Sequence, residues 1–254
     1  MKLTEEVYLV GSGAAGVGLS HDLDCHVYLL DGGGELALVD AGVGLDVKGI
    51  LRNIEAEGFR PEDVRYILIT HAHGDHVGGA AALREATGAK VLMSEVEAPF
   101  IRDGDEDAMA LTMARAAGYY PPDYHIRACP VDRELRHGDE FRVGSLKVRV
   151  IHLPGHSKGS MLYLVDGKRR YLFSGDAVFF GGVISLLNCV GSSLEDYREN
   201  IWKLKGLEVD ALLPGHLSFC LRGGQKHLDA AVEAFKGLGV PTNLIGRHGL
   251  IMSQ

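Results

Sequence analysis

A run of apolar residues that ends in a dense group of imidazoles and a carboxylate constrains this chain more than any other feature. Residues 66–70 read as a strand, and His71, His73, Asp75 and His76 follow at once. Imidazole and carboxylate are the groups by which proteins bind Zn²⁺, Fe and Mn²⁺. Because side chains alternate between the two faces of a strand, four such residues so close together can meet only from a loop. The spacing therefore predicts a metal-binding loop at a strand end.

Three later apolar segments end in the same kinds of residue. His156 and His216 each follow an apolar run and a Pro-Gly turn, and Asp176 follows an apolar run and Ser-Gly. In open α/β sheets the ligand crevice lies outside the carboxyl ends of the strands. Together the four segments supply five histidines and two aspartates. This set suits two metal ions with a carboxylate and a water between them.

The combined pattern resembles the metallo-β-lactamase superfamily over nearly the whole chain, from residues 39–42 to His216. The resemblance implies an α/β fold, a four-layer αββα sandwich of two mixed β-sheets with helices on the outer faces. It also implies the following roles: His71, His73 and His156 hold the first metal, Asp75, His76 and His216 hold the second, Asp176 bridges the two, and Asp40 supports the site without binding metal.

The chemistry expected of such a site is hydrolysis. Two divalent metals lower the pKa of a bridging water toward ~7, which gives hydroxide at neutral pH. That hydroxide attacks a carbonyl, and a metal stabilises the oxyanion that develops. We expect Asp75 and Asp176 to be the catalytic carboxylates, with Asp75 orienting the hydroxide and passing a proton to the leaving group. Zinc is the first choice of metal, and iron and manganese are alternatives.

The resemblance also narrows the substrate. Most true β-lactamases of the superfamily have cysteine or serine at the position of Asp176, so the aspartate points to ester, thioester and lactone hydrolases. Forty residues separate Asp176 from His216, which leaves little room for the insertions of nuclease members. We predict a dinuclear hydrolase of a carboxylic ester or lactone. The apolar residues expected near the site are Tyr119, Tyr120, Phe179, Phe180, Val183 and Ile184.

Three alternatives stay open. A glyoxalase II-like thioesterase shares the ligand pattern, but this chain has Phe-Phe-Gly-Gly at residues 179–182 in place of a loop with cysteine and arginine. We also find no basic glutathione-binding tail after His216. A persulfide dioxygenase-like enzyme would use one iron on the first-metal ligands, whereas this chain keeps every second-site ligand. A non-catalytic protein on the same fold would be expected to have lost ligands.

A glycine-rich segment at residues 11–16 fits the GxGxxG pattern of dinucleotide-binding proteins. The next strand begins near Cys25, so the interval is too short for the helix of a parallel crossover, which needs a dozen or more residues. We predict a loop between antiparallel strands. Among the other histidines, His26 is a candidate outer partner of the site. The remaining ones, expected to face solvent, are His21, His125, His137, His227 and His248.

Composition sets the remaining expectations. A net charge of −8 disfavours nucleic acid and anionic membranes as partners. We see no signal peptide, no continuous apolar stretch of the ~18 residues that a membrane span needs, and four scattered cysteines that suit a reducing cytoplasm. We expect one domain over residues 1–254, a small-molecule substrate and a cytoplasmic location, with a homodimer left open. Helices at about residues 94–139 form either a cover over the site or an ordinary surface excursion.

Overall fold

The computed structural model describes residues 1–245, in which two β-sheets lie against each other and helices lie outside them. The strands are β1 (Val7–Gly11), β2 (Val27–Asp31), β3 (Leu36–Val39), β4 (Val64–Leu68), β5 (Lys90–Ser94), β6 (Arg133–Leu135), β7 (Glu140–Val143), β8 (Leu146–His152), β9 (Met161–Asp166), β10 (Arg170–Gly175) and β11 (Ala211–Pro214). The α-helices are α1 (Val47–Ala56), α2 (Gly74–Val77), α3 (Ala80–Thr87), α4 (Ala98–Asp103), α5 (Leu111–Ala116), α6 (Leu194–Asn200) and α7 (Gln225–Ala234). Short 3₁₀ turns occupy Pro61–Asp63, Phe180–Gly182 and Ile201–Leu204.

Both sheets are mixed. The first has the strand order β1-β2-β3-β4-β5-β6, antiparallel from β1 to β3 and parallel from β3 to β6. The second has the order β11-β10-β9-β8-β7, antiparallel from β7 to β10 and parallel between β10 and β11. The predicted ligand loops include those that begin at the carboxyl ends of β4, β10 and β11.

The core consists of three apolar layers. The central layer joins the inner faces of the sheets, with Leu9 and Tyr28 from the first and Tyr163 and Phe173 from the second. A second layer packs α1 and α3 on the outer face of the first sheet, and a third packs α6 and α7 on the second. Strands covered on both faces are largely apolar, as β9 is from Met161 to Val165. This arrangement confirms the predicted sandwich.

Two helices begin at capping side chains that the sequence displays. The Asp46 carboxylate accepts a hydrogen bond from the Gly49 amide at 3.0 Å at the start of α1. The Ser193 hydroxyl accepts one from the Asp196 amide at 3.1 Å at the start of α6. Such caps satisfy amides that the first helical turn leaves free.

Within the stretch at about residues 94–139 that was expected to be helical, residues 105–117 form less helix than expected. Residues 105–110 form turns, and α5 begins at Leu111. The Asp105 carboxylate accepts a hydrogen bond from the Ala108 amide at 3.0 Å, which gives the backbone a local alternative to the helix. Ala110 then adopts a left-handed conformation with φ of 57°. That geometry interrupts a right-handed helix.

The glycine-rich segment joins antiparallel strands, as predicted. β1 pairs antiparallel with β2, and the Gly13 amide donates to the Asp24 carbonyl at 3.0 Å across the loop. A Cβ on Gly13 would overlap the Asp22 carbonyl, so glycine is required by this close approach. Within residues 1–245, no helix is both long and apolar enough to cross a membrane. The prediction of one domain stays a prediction.

Candidate metal centre

The structure brings all seven predicted ligand residues to one place. His71, His73, Asp75 and His76 occupy the turn after β4 and the start of α2. The other three residues follow β8, β10 and β11, and they are His156, Asp176 and His216. Their side chains form overlapping sets whose ligand atoms lie within 4.8 Å of one another. Four strand ends thus converge at one edge of the sandwich.

The first group consists of His71, His73 and His156. The Nε2 atom of His156 lies 3.1 Å from Nε2 of His71 and 3.0 Å from Nδ1 of His73. His71 and His156 are almost fully buried. Three imidazole nitrogens therefore point at one another from two separate loops.

The second group consists of Asp75, His76 and His216. Nε2 of His216 lies 2.9 Å from Oδ2 of Asp75 and 3.2 Å from Nε2 of His76. Asp176 lies between the two groups. Its Oδ1 is 3.5 Å from His76 Nε2, and its Oδ2 is 3.6 Å from His216 Nε2 and 3.8 Å from His156 Nε2.

Hydrogen bonds to neighbouring residues determine which ring nitrogen of each histidine is available to bind metal. Nδ1 of His156 lies 2.8 Å from the Ser185 carbonyl, and Nδ1 of His76 lies 2.9 Å from Oδ2 of Asp40. Both partners are acceptors, so each Nδ1 carries a proton. In a neutral ring the Nε2 atom then has only a lone pair. The same holds for His71, because the Thr70 hydroxyl next to its Nδ1 donates to Asp40.

These lone pairs fit metal ions. Two imidazole lone pairs about 3 Å apart repel each other unless a cation lies between them, and among residues 1–245, Oδ1 of Asp176 is buried without a hydrogen-bond partner. Nitrogens bound to one tetrahedral zinc at 2.0–2.1 Å lie about 3.4 Å apart. The separations in the first group are close to that value. The residues present therefore suit divalent metal in both groups.

Asp40 connects the two groups. It accepts hydrogen bonds from the Thr70 amide at 2.8 Å and from the Thr70 hydroxyl, and it also faces His76. It is buried and has a positive φ of 63°, a conformation rare for residues other than glycine. Such strain persists only where the surroundings hold it. Asp40 thus supports the site from the end of β3, as the resemblance implied.

The pKa shifts separate the two groups. Burial lowers the pKa of His73 to about 3 and that of His156 to about 4, and it also lowers that of His71. Burial opposes the shift of His76, but Cys25 and nearby carboxylates, including Asp75, raise its pKa well above the usual value. The histidines of the first group are therefore neutral, whereas the carboxylates around His76 favour its protonated, positively charged form.

Two residues that sequence reasoning did not assign to the site contact it from residues 94–139. The Tyr120 hydroxyl donates to Oδ1 of Asp75 at 2.9 Å. The Glu97 carboxylate accepts from the amides of Ala72 and Gly159, both at 2.8 Å. Tyr120 had been expected near the site only as an apolar lining residue. Glu97 has no sequence signal beyond its place before a helix.

Several remaining expectations have mixed outcomes. His26 contacts none of the predicted ligands, because its ring nitrogens lie 3.0 Å from the Ser12 hydroxyl and 2.8 Å from the Leu217 carbonyl. It therefore ties the glycine-rich loop to the residue after His216. His227 is buried, so the expectation of a solvent-facing ring is wrong there, and His248 lies outside the described residues.

The predicted apolar lining is wrong in part. Phe179 and Ile184 are both buried, and Ile184 belongs to the apolar layer beneath α6 and α7. Phe180 is half-exposed and lies on the ring of His227, with centroids 4.2 Å apart. Fewer apolar side chains than expected are therefore exposed to contact a substrate.

Comparison with known proteins agrees with this geometry. Residues 22–216 match the metallo-β-lactamase superfamily. The chain belongs to this superfamily. It is 31% identical to the acyl-coenzyme A thioesterase MBLAC2 of Gallus gallus over 212 residues, which are 76% of this chain and 72% of that protein. It is 37% identical to a hydroxyacylglutathione hydrolase of Anaeromyxobacter dehalogenans over 159 residues, which are 63% of this chain and 48% of that protein.

A solved structure supports the same assignment. The subclass B3 metallo-β-lactamase BJP-1 of Bradyrhizobium japonicum superimposes with a TM-score of 0.69 at 26% identity, over 93% of this chain and 91% of that one. The fold of this chain is therefore similar to that of a β-lactamase, whereas the two sequence relatives are named as an acyl-coenzyme A thioesterase and a hydroxyacylglutathione hydrolase. Its match spans about half of the hydroxyacylglutathione hydrolase, so activity cannot be carried over from that name alone.

Proposed function

We propose that this protein is a dinuclear metal-dependent hydrolase that cleaves an acyl bond, with a thioester as the first candidate substrate and an ester or lactone as the second. The single observation that supports the two-ion chemistry is the position of Asp176. Its two oxygens face histidines of both groups, and its buried Oδ1 has no other partner. A carboxylate in that environment is suited to bridging two cations.

The protein's own residues have distinct roles in this proposal. Bound divalent metal supplies a water of lowered pKa and polarises the carbonyl. Asp75 is ionised, because His76 and His216 lower its pKa far below the usual range although burial opposes this. It would accept a hydrogen bond from the attacking hydroxide, which orients that hydroxide, and relay the proton of the hydroxide to the leaving group as the acyl bond breaks. A positioned acid–base group of this kind contributes about 10²–10⁴-fold in rate.

A thioester is the first candidate substrate because of the activity named for a sequence relative. The MBLAC2 protein is named an acyl-coenzyme A thioesterase, and the chain covers 72% of it. In hydrolysis the water oxygen bonds to the acyl carbon, the carbon–sulfur bond breaks, and the sulfur leaves with its electron pair. The ester and lactone prediction rested partly on an apolar lining, and two of its residues, Phe179 and Ile184, are in the core.

A matched substrate panel tests the proposal. Phenyl thioacetate and phenyl acetate share an acyl group and differ in the leaving atom, and γ-butyrolactone, a β-lactam and a phosphodiester complete the set. We expect zinc-loaded protein to give the highest kcat/KM on the thioester. A faster oxygen ester would favour the second candidate. If the β-lactam or phosphodiester were fastest, the acyl-bond assignment would be wrong.

The alternative class of enzyme, a mono-iron oxygenase, is tested by metal content and oxygen uptake. A mono-iron oxygenase would use the first group alone. The second group is complete, with Asp75, His76 and His216 within 4.8 Å, which favours two ions. Elemental analysis after metal supplementation should find two ions per chain. One iron per chain together with oxygen uptake would replace the hydrolase proposal.

A further inference from the structure

The segment that begins at the end of β5, residues 94–139, places Glu97 against the loops of the first group and Tyr120 against Asp75 of the second. Glu97 is buried, with 3% of its surface exposed, and it lies just before α4. Tyr120 is half-buried and follows α5. Neither residue is itself a member of the first or second group. Glu97 contacts the loops that carry the first group, whereas Tyr120 contacts Asp75 of the second group.

Glu97 joins the two loops that carry the first group. Its Oε2 accepts from the amide of Ala72, which lies between His71 and His73 in the chain. Its Oε1 accepts from the amide of Gly159, three residues after His156. One carboxylate therefore holds both loops at a fixed separation. Hydrogen bonds to a charged acceptor are among the strongest in proteins.

Tyr120 controls the orientation of a second-group carboxylate. Its hydroxyl donates to Oδ1 of Asp75 at 2.9 Å and accepts from the Asp75 amide at 3.1 Å. The other oxygen, Oδ2, then faces Nε2 of His216 at 2.9 Å. The ring of Tyr124 stacks on that of Tyr120, with centroids 5.0 Å apart. The hydroxyl thus determines which oxygen of Asp75 points into the second group.

We propose that residues 94–139 position the two ligand groups through separate residues, Glu97 for the first group and Tyr120 for the second. The proposal rests on the two-ion function above. Outer partners of metal ligands change metal affinity by about 10–100-fold when they are removed. Because each residue contacts one group, each loss should affect one ion.

Two conservative variants test this separation. Tyr120→Phe removes the hydroxyl and leaves the Asp75 carboxylate free to rotate. Glu97→Gln replaces one acceptor oxygen with an NH₂ donor that faces a backbone amide. We would titrate metal-free protein with Co²⁺ against a competing chelator and record the absorption spectrum. His156→Ala and His216→Ala serve to assign the two binding steps and their spectra to the first and second groups.

We expect Tyr120→Phe to weaken the second-group step about tenfold or more and to change the first-group step less than about twofold. Glu97→Gln should do the reverse. The matched control is Tyr119→Phe, which alters the exposed neighbouring ring and should leave both steps unchanged. If Glu97→Gln does not fold, Glu97→Asp, which keeps the charge on a shorter side chain, should weaken the first step selectively.

The outcomes separate this inference from the proposed function. If the unaltered protein takes up only one Co²⁺, the two-ion function is wrong. If it takes up two and Tyr120→Phe weakens both steps equally, or neither, the positioning role is wrong while the two-ion function stands. A purely structural role would lower the unfolding midpoint without selective loss of one step, and that result would also overturn the proposal.

Discussion

The two ligand groups are built from different chemistry although their atoms are neighbours. The first group contains three imidazoles, and burial lowers the pKa of each. The second contains the carboxylate of Asp75, and the pKa values of both its histidines are raised, those of His76 and His216. The neutral histidines of the first group can bind metal without first releasing protons. A group with acidic partners attracts cations strongly, but protons compete with metal for it.

The groups also differ in what holds them. The ring of His156 is oriented by a backbone carbonyl, that of Ser185, whereas the ring of His76 is oriented by the side chain of Asp40. A backbone acceptor survives substitution of its residue, and a side-chain acceptor does not. His76 should therefore be more sensitive than His156 to substitution of its outer partner. The predictions below test this contrast.

The largest effect is expected where the groups meet. Asp176→Ala removes the carboxylate that faces both, so it should lower kcat by at least about 100-fold and reduce the occupancy of the second group most. Turnover and metal content per chain measure the two effects, and circular dichroism checks that the protein is folded. Near-normal turnover would remove Asp176 from its bridging role.

The neutral group predicts a pH dependence of the metal-free protein. His73 and His156 have pKa values lowered to about 3 and about 4, from 6.5 in the unfolded chain. Between pH 4 and 6.5 the unfolded state therefore binds more protons, so stability rises with pH across this window. We expect the free energy of unfolding in urea to fall by on the order of 2 kcal/mol from pH 7 to pH 5.

Other groups do not reverse this sign. His76 and His216 have raised pKa values, so between pH 7 and about pH 6 they oppose this trend, and below about pH 6 they are largely protonated in both states and add little slope. Burial raises the pKa values of Asp24 and Glu97, and these two carboxylates oppose the histidines. His73→Asn provides the control, since it removes one neutral imidazole and should make the pH dependence shallower. A stability that rises toward pH 5 would contradict the assignment.

A substitution at the outer partner of the second group comes next. Asp40→Asn preserves size and tolerates the positive φ, but its amide can turn an NH₂ donor toward Nδ1 of His76. That contact favours the tautomer with the proton on Nε2, which cannot bind metal. We expect second-group affinity to fall about tenfold. Metal titration as above measures it, and unchanged affinity would show that Asp40 does not set the tautomer.

Much of this site could be predicted because its residues sit at strand ends. His71, His156, Asp176 and His216 each follow an apolar run, and parallel or mixed sheets bring such ends together. Glu97 could not be predicted, because its partners are backbone amides of distant loops and leave no pattern in the sequence. The burial of Ile184 could not be predicted for a related reason, since the direction of a loop depends on what it packs against.

The smallest effect is expected at the outer partner of the first group. Ser185 is as deeply buried as Asp40, yet the atom that faces Nδ1 of His156 is its backbone carbonyl, at 2.8 Å. Ser185→Ala keeps that carbonyl, and Tyr197 continues to donate to the same oxygen at 3.3 Å. First-group affinity should therefore change by less than about twofold, against about tenfold for the second group in Asp40→Asn. Both variants are measured by the same Co²⁺ titration. If Ser185→Ala weakened the first group as much as Asp40→Asn weakens the second, the distinction between a ring held by a backbone carbonyl and a ring held by a side chain would fail. The serine hydroxyl would then need a role of its own.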